Sequence, residues 1–186
     1  MDSSIICSQV IFCLQQADLD PHPLRRPEVF LDLHLLRLQL VFLVLLQRHP
    51  VAGERCIDLG ASPGGWTWAL QALGASVLAI DKAALDPSIA ALPEVEVRKE
   101  SAFGLDPKAV GPVDWLFSDV ICYPQRLLDL VTRWREAGMA KHFVCTIKFQ
   151  GADEHAIARE FAAIPGSRVV HLHHNKHELT WMNVAE

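Results

Sequence analysis

Arg55-Cys56-Ile57-Asp58-Leu59-Gly60-Ala61-Ser62-Pro63-Gly64-Gly65-Trp66-Thr67 decides the fold. An apolar run reaches an acid, a turn of small residues follows, and Trp66-Thr67-Trp68-Ala69-Leu70 continues in helical register, so the stretch reads as strand, tight loop, helix. Glycine is needed where the backbone takes positive φ or comes within contact of a ligand. Gly60, Gly64 and Gly65 therefore mark a loop that cradles something. It is not a phosphate loop, because no Gly-Lys-Ser/Thr closes it, and Pro63 interrupts the three-glycine dinucleotide pattern. Asp58, at the carboxyl end of the strand, would repel a pyrophosphate but can accept from a cationic, amino-acid-like group.

Outward from this turn, strands and helices alternate as a doubly wound parallel sheet requires. The expected strands are Arg55 to Leu59, Ser76 to Ile80, Val95 to Lys99, Val113 to Ser118 and His142 to Lys148. Helices are expected from about Gly65 to Leu73, from Pro124 to Ala137 and from Ala152 to Ile164, the second opened by a proline and stopped at Gly138. The last strands, Arg168 to His173 and Leu179 to Val184, are joined by a link too short for a parallel crossover, which makes them an antiparallel hairpin.

The 186 residues suit one α/β domain from 55 to 186 with an extension, 1 to 54, packed on it. A net charge of −5 leaves any nucleic-acid surface to a local patch, since phosphate binding rests on Lys and Arg. Five scattered cysteines, Cys7, Cys13, Cys56, Cys122 and Cys145, without a Cys-x-x-Cys pair, fit reduced thiols in a cytoplasmic protein and neither a zinc site nor a disulfide framework. His171, His173, His174 and His177 fall on both faces of a hairpin with no acid or cysteine at ligand spacing, so no metal is expected.

In the extension, Ser4 to Leu14 lacks the basic flank and cleavage site of a signal peptide. Pro21, Pro23 and Pro27 with Arg25 and Arg26 form an extended basic connector. Phe30 to Leu46 is leucine-rich but carries Asp32, His34, Arg37 and Gln39, which favours a largely buried helix over a membrane span of about 20 apolar residues.

Ligands of open α/β sheets bind at the carboxyl ends of the strands. Asp81 ends the second strand, where an acid accepts from ribose hydroxyls or simply caps a turn. Asp119 follows the fourth strand, Lys148 ends the fifth, and Glu178 sits at the hairpin leading to the last, so three segments deliver ionisable groups to one edge. Singly, each is as readily a cap or an ion pair.

Asp58-Leu59-Gly60-Ala61-Ser62-Pro63-Gly64-Gly65-Trp66-Thr67 resembles motif I of the FtsJ-type S-adenosylmethionine-dependent ribose 2′-O-methyltransferases, whose usual wording is Asp-Leu-Gly-x-x-Pro-Gly-Gly-Trp/Phe. Ser118-Asp119-Val120, Ile147-Lys148-Phe149 and His174-Asn175-Lys176-His177-Glu178-Leu179-Thr180 are similar to the wording of the branch that modifies large-subunit ribosomal RNA, the M type. The resemblance implies a Rossmann-like class I methyltransferase fold with a seven-stranded sheet and terminal hairpin. It implies S-adenosyl-L-methionine as methyl donor and RNA, ribosomal RNA foremost, as partner, with no membrane. The cofactor would meet Asp58, Gly60, Pro63, Gly64, Gly65, Trp66 and Asp119, with Asp81 on its ribose and Ser101 near the adenine where the family often has an acid. Asp119, Lys148 and Glu178 match three members of the family's Lys-Asp-Lys-Glu tetrad. The first lysine, expected near Phe30-Leu31-Asp32-Leu33, has no counterpart, because no lysine precedes Lys82. Nor does the sequence show the amino-terminal RNA-binding domain of larger M-type members. Two functions follow: an RNA ribose 2′-O-methyltransferase, or a cofactor-binding protein of impaired catalysis that serves as an RNA- or partner-binding module.

Overall fold

A computed structural model of the chain describes residues 48–151, 155–171 and 177–185. The chain separates into two compact units, Met1–His49 and Pro50–Glu186. The expected basic connector and leucine-rich helix lie outside the described residues. Within the second unit, side chain and backbone of Glu54 tie this stretch to the sheet. Glu54 Oε2 accepts from Trp115 Nε1 at 2.8 Å, and its carbonyl accepts from Ser76 N at 3.0 Å.

Seven strands form one sheet: β1 (Arg55–Leu59), β2 (Ser76–Asp81), β3 (Val95–Lys99), β4 (Val113–Ser118), β5 (Ala140–Lys148), β6 (Ser167–Val170) and β7 (Glu178–Asn183). Their spatial order is β3-β2-β1-β4-β5-β7-β6. The pairings from β3 through β5 are parallel, while β7 runs antiparallel to both β5 and β6. This is the Rossmann-like methyltransferase architecture expected from the sequence. The central strands read as continuous apolar runs because both faces are covered; Trp115, Leu116 and Phe117 on β4 are all fully buried.

Among the described residues the helices are α1 (Gly65–Ala72), α2 (Pro87–Ala90), α3 (Pro107–Val110), α4 (Pro124–Glu136) and α5 (His155–Ala163). On α4, Leu127, Leu130, Val131 and Trp134 recur at helical spacing and are buried, joining Ile57, Leu59, Leu116 and Phe143 in the main core. The two short helices α2 and α3 were not expected. Each starts at an Asp-Pro pair, with Asp86 Oδ1 accepting from Ser88 N at 2.8 Å and Asp106 Oδ1 from Lys108 N at 3.0 Å, which is N-cap chemistry followed by proline at the first helical position. The expected strand Arg168 to His173 ends as β6 at Val170. Cys56, Cys122 and Cys145 are buried free thiols. No helix among the described residues is long and apolar enough to cross a membrane.

Candidate active site

The chain reverses its direction of travel across the sheet between β1 and β4, and the crevice outside that switch point is where such sheets bind ligands. Two loops meet there. Asp119 N donates to Leu59 O at 3.2 Å, and a Cβ on Gly60 would stand 2.8 Å from the backbone of Val120. Gly60 has φ +86° and Gly64 φ +124°, as expected of the turn. A Cβ would meet Val120 at Gly60 and Ile89 at Gly64. Gly65 is the first residue of α1, and Pro63, exposed in the turn, accepts from Asp86 N at 2.9 Å.

Asp58 is wholly buried. Its Oδ2 accepts from Thr67 Oγ1 at 2.7 Å, while Oδ1 has no partner. Burial pushes this carboxyl up to about 7; the Thr67 hydrogen bond opposes that rise and the Asp119 charge adds to it. A buried acceptor without a donor costs free energy, and an ammonium group or a bridging water would satisfy it. Thr67 had no role in the sequence reading; its signal is a hydroxyl in the first turn of the helix that follows the glycines.

Asp81 is used by the loop as well as by any ligand. Its Oδ2 accepts from Ser62 N at 3.0 Å and its Oδ1 from Ala83 N at 2.8 Å, while Ser62 Oγ donates to Ala84 O at 2.9 Å. A carboxylate has about four acceptor positions, so lone pairs remain for ribose hydroxyls. Ser101 precedes the 3-10 turn Ala102–Gly104 without a side-chain cap; Glu100 beside it is exposed. Trp66 is buried with its ring 5.3 Å from that of Phe117, so it forms the floor under the loop more than an open rim.

Asp119, Lys148 and Glu178 come together. Lys148 Nζ stands 3.0 Å from Asp119 Oδ1 and 3.8 Å from Glu178 Oε1. Lys148 and Glu178 are direct cross-strand partners in the β5–β7 register; at the same end of the pair, Phe149 N donates to His177 O at 3.1 Å. The lysine side chain is only 18% exposed. Partial burial raises the Glu178 carboxyl above its ordinary range; Lys148 pulls it down and Asp119 pushes it up. An ammonium has three donors and no acceptor, so two carboxylates can fix its direction and leave a third N–H for a substrate oxygen.

The residues present would fit S-adenosylmethionine. The orphaned Asp58 oxygen suits its amino group and Asp81 its ribose, with the Ser101–Phe103 segment at the next strand end for the adenine. When bound, that cofactor supplies a methyl group activated by a sulfonium.

Comparison with known proteins gives the family and the fold. The ribosomal RNA large subunit methyltransferase M of Halorhodospira halophila is 41% identical over 106 residues, covering 57% of this chain and 31% of that protein. The protein of the same name from Thauera aminoaromatica is 34% identical over 139 residues, covering 69% of this chain and 38% of that protein. The chain thus spans about a third of the length of these curated relatives. Among solved structures, Aeropyrum pernix fibrillarin with natively bound S-adenosyl-L-methionine aligns with a TM-score of 0.54 at 17% identity, over 77% of this chain and 74% of that one, which is a likeness of fold. The model of the FtsJ-like methyltransferases matches residues 42–153, and the chain belongs to that family.

Proposed function

We propose that the chain is an RNA ribose 2′-O-methyltransferase that takes its methyl group from S-adenosylmethionine, acts on large-subunit ribosomal RNA in the cytoplasm, and belongs to the M-type branch. The observation that carries this reading is Lys148 held between Asp119 and Glu178 at the switch-point edge. A 2′-hydroxyl is a poor nucleophile at neutral pH, so the site must place it and take its proton. Lys148 donates to the 2′-oxygen and aligns it for in-line attack. Glu178, raised above the ordinary carboxylate range, accepts the proton. Asp119 fixes the ammonium. Asp58, Asp81 and the loop from Gly60 to Gly65 hold the donor.

The second reading, a cofactor-binding module of impaired catalysis, is favoured by one observation: no lysine precedes Lys82. Arginine does not replace such a lysine, being a planar fork and not a point charge. Incubation with S-adenosylmethionine tritiated in the methyl group and undermethylated ribosomal RNA separates the two. The proposal expects label in RNA from the wild-type chain and labelling at least roughly 10²-fold slower from Lys148→Ala, with equal cofactor affinity in both by calorimetry. Cofactor binding by the wild type without transfer to any RNA would leave the module.

A further inference from the structure

Two large side chains stand out from the surface beside the candidate active site. Ile121 is 81% and Tyr123 61% exposed, while the other large apolar groups exposed among the described residues, Val51 and Val97, reach 47% and 40%. They belong to the loop that starts at Asp119. Burial alternates along it: Ile121 exposed, Cys122 buried, Tyr123 exposed, Pro124 buried. Cys122 is anchored in the main core, so the backbone is held from below and both outer side chains face solvent. Tyr123 is also the N-cap residue of α4, and its carbonyl accepts from Arg126 N at 3.0 Å and Leu127 N at 3.3 Å. Its ring is thus carried on fixed backbone, and little conformational freedom remains to be lost when something lands on it.

The chemistry of the neighbourhood favours a nucleobase as the occupant. Tyr123 is four residues from Asp119, so their Cα atoms lie within about 14 Å whatever the path of the loop. The Lys148 charge is felt at the thiol of Cys122, the residue between the two exposed side chains. The first turn of α4 carries no acid, and the exposed Arg126 in that turn has its guanidinium carbon 3.8 Å from the centre of the Phe103 ring. With a net charge of −5, phosphate contacts are left to a local patch, so stacking is a natural further source of affinity, and every base has a face to offer.

From this placement we propose that Tyr123, flanked by Ile121, is the platform on which a base of the RNA substrate stacks, holding the adjoining ribose against Lys148. The inference rests on the reading of the chain as an RNA methyltransferase and adds the residue that positions its substrate.

The test is a double-mutant cycle in binding, measured on the full chain by fluorescence anisotropy with a labelled twelve-nucleotide oligoadenylate and an abasic strand of the same length. Tyr123→Ala is expected to weaken oligoadenylate binding by roughly 5- to 150-fold, the range of one base–aromatic stack, and to leave the abasic strand unaffected. Tyr123→Phe should restore the wild-type affinity, because stacking needs the ring and not the hydroxyl. Unfolding temperature and cofactor affinity should be the same in all three proteins. The proposal is overturned if Tyr123→Ala binds oligoadenylate as the wild type does, if the wild type does not prefer it to the abasic strand, or if the substitution only abolishes self-association. Methyl transfer to undermethylated ribosomal RNA separates the two ideas. Transfer with an RNA KM unmoved by Tyr123→Ala would remove the platform and leave the enzyme; an intact binding cycle without transfer would keep the platform and remove the enzyme.

Discussion

Lys148 and Glu178 face each other across the antiparallel β5–β7 pair, Nζ to Oε1 at 3.8 Å, with Asp119 Oδ1 3.0 Å from the same nitrogen. The short terminal strand β7 lies between β5 and β6, and that insertion carries the glutamate of the last strand to the lysine at the end of the fifth.

The lysine acts in this account through a compact, directed ammonium. Lys148→Arg should therefore fail as Lys148→Ala does, with kcat lowered roughly 10²- to 10⁴-fold, because a planar guanidinium pairs side-on with the carboxylates and displaces the substrate oxygen. Steady-state kinetics with S-adenosylmethionine and ribosomal RNA check this. Arginine at near wild-type rate would mean that positive charge alone suffices.

Glu178 accepts a proton only when ionised, and burial holds its carboxyl above the ordinary range. The rate should rise with pH through an acid limb displaced upward from that of a free carboxylate. Glu178→Gln should remove this limb and cost about 10²-fold or more at neutral pH. A limb that persists in the variant assigns the titration elsewhere.

Asp58 links folding to pH. It keeps its proton up to about 7 in the folded chain against an ordinary 3.8, so folding takes up a proton between those values. The unfolded chain binds fewer protons there, and stability falls as pH rises from 4 to 7, by at most about 4 kcal/mol, then levels off. Asp58→Asn should flatten this slope in urea titrations and weaken S-adenosylmethionine binding. An unaltered slope would show that Asp58 is ionised in the folded chain throughout the range.

Gly60 and Gly138 both have positive φ, +86° and +64°, but a Cβ at Gly60 would meet Val120 at 2.8 Å whereas nothing lies within 4 Å of one at Gly138. Gly138→Ala should cost about 1 kcal/mol for the left-handed backbone alone. Gly60→Ala adds a clash with backbone that cannot swing away, for a total of about 2–4 kcal/mol. Chemical denaturation of both variants gives the comparison; equal losses would mean that the β1 and β4 loops separate easily.

Much of this fold is written locally. β1, β3 and β4 begin and end at the residues read from the sequence because each is an apolar or β-prone run bounded by turn residues. Asp119 and Lys148 share an edge because parallel strands send their carboxyl ends there, and Glu178 joins them because β7 runs antiparallel and begins at that edge. What sequence hid is tertiary. The space beside Gly60 belongs to Val120, and Asp81 braces Ser62 of the glycine loop; neither contact leaves a local mark. Helices α2 and α3 are too short to show a periodicity, and only their Asp-Pro starts announce them. The stretch expected to supply a first lysine falls outside the described residues.

The most direct test of the central claim uses the chemistry of the product. Ribosomal RNA labelled by the wild-type chain with methyl-tritiated S-adenosylmethionine is digested with alkali, which cleaves RNA only where a free 2′-hydroxyl attacks the neighbouring phosphate. The account predicts label in alkali-resistant dinucleotides, appearing at least roughly 10²-fold more slowly from Lys148→Ala. Label in mononucleotides would place the methyl on a base and contradict the assignment of Lys148, Asp119 and Glu178 to a ribose hydroxyl.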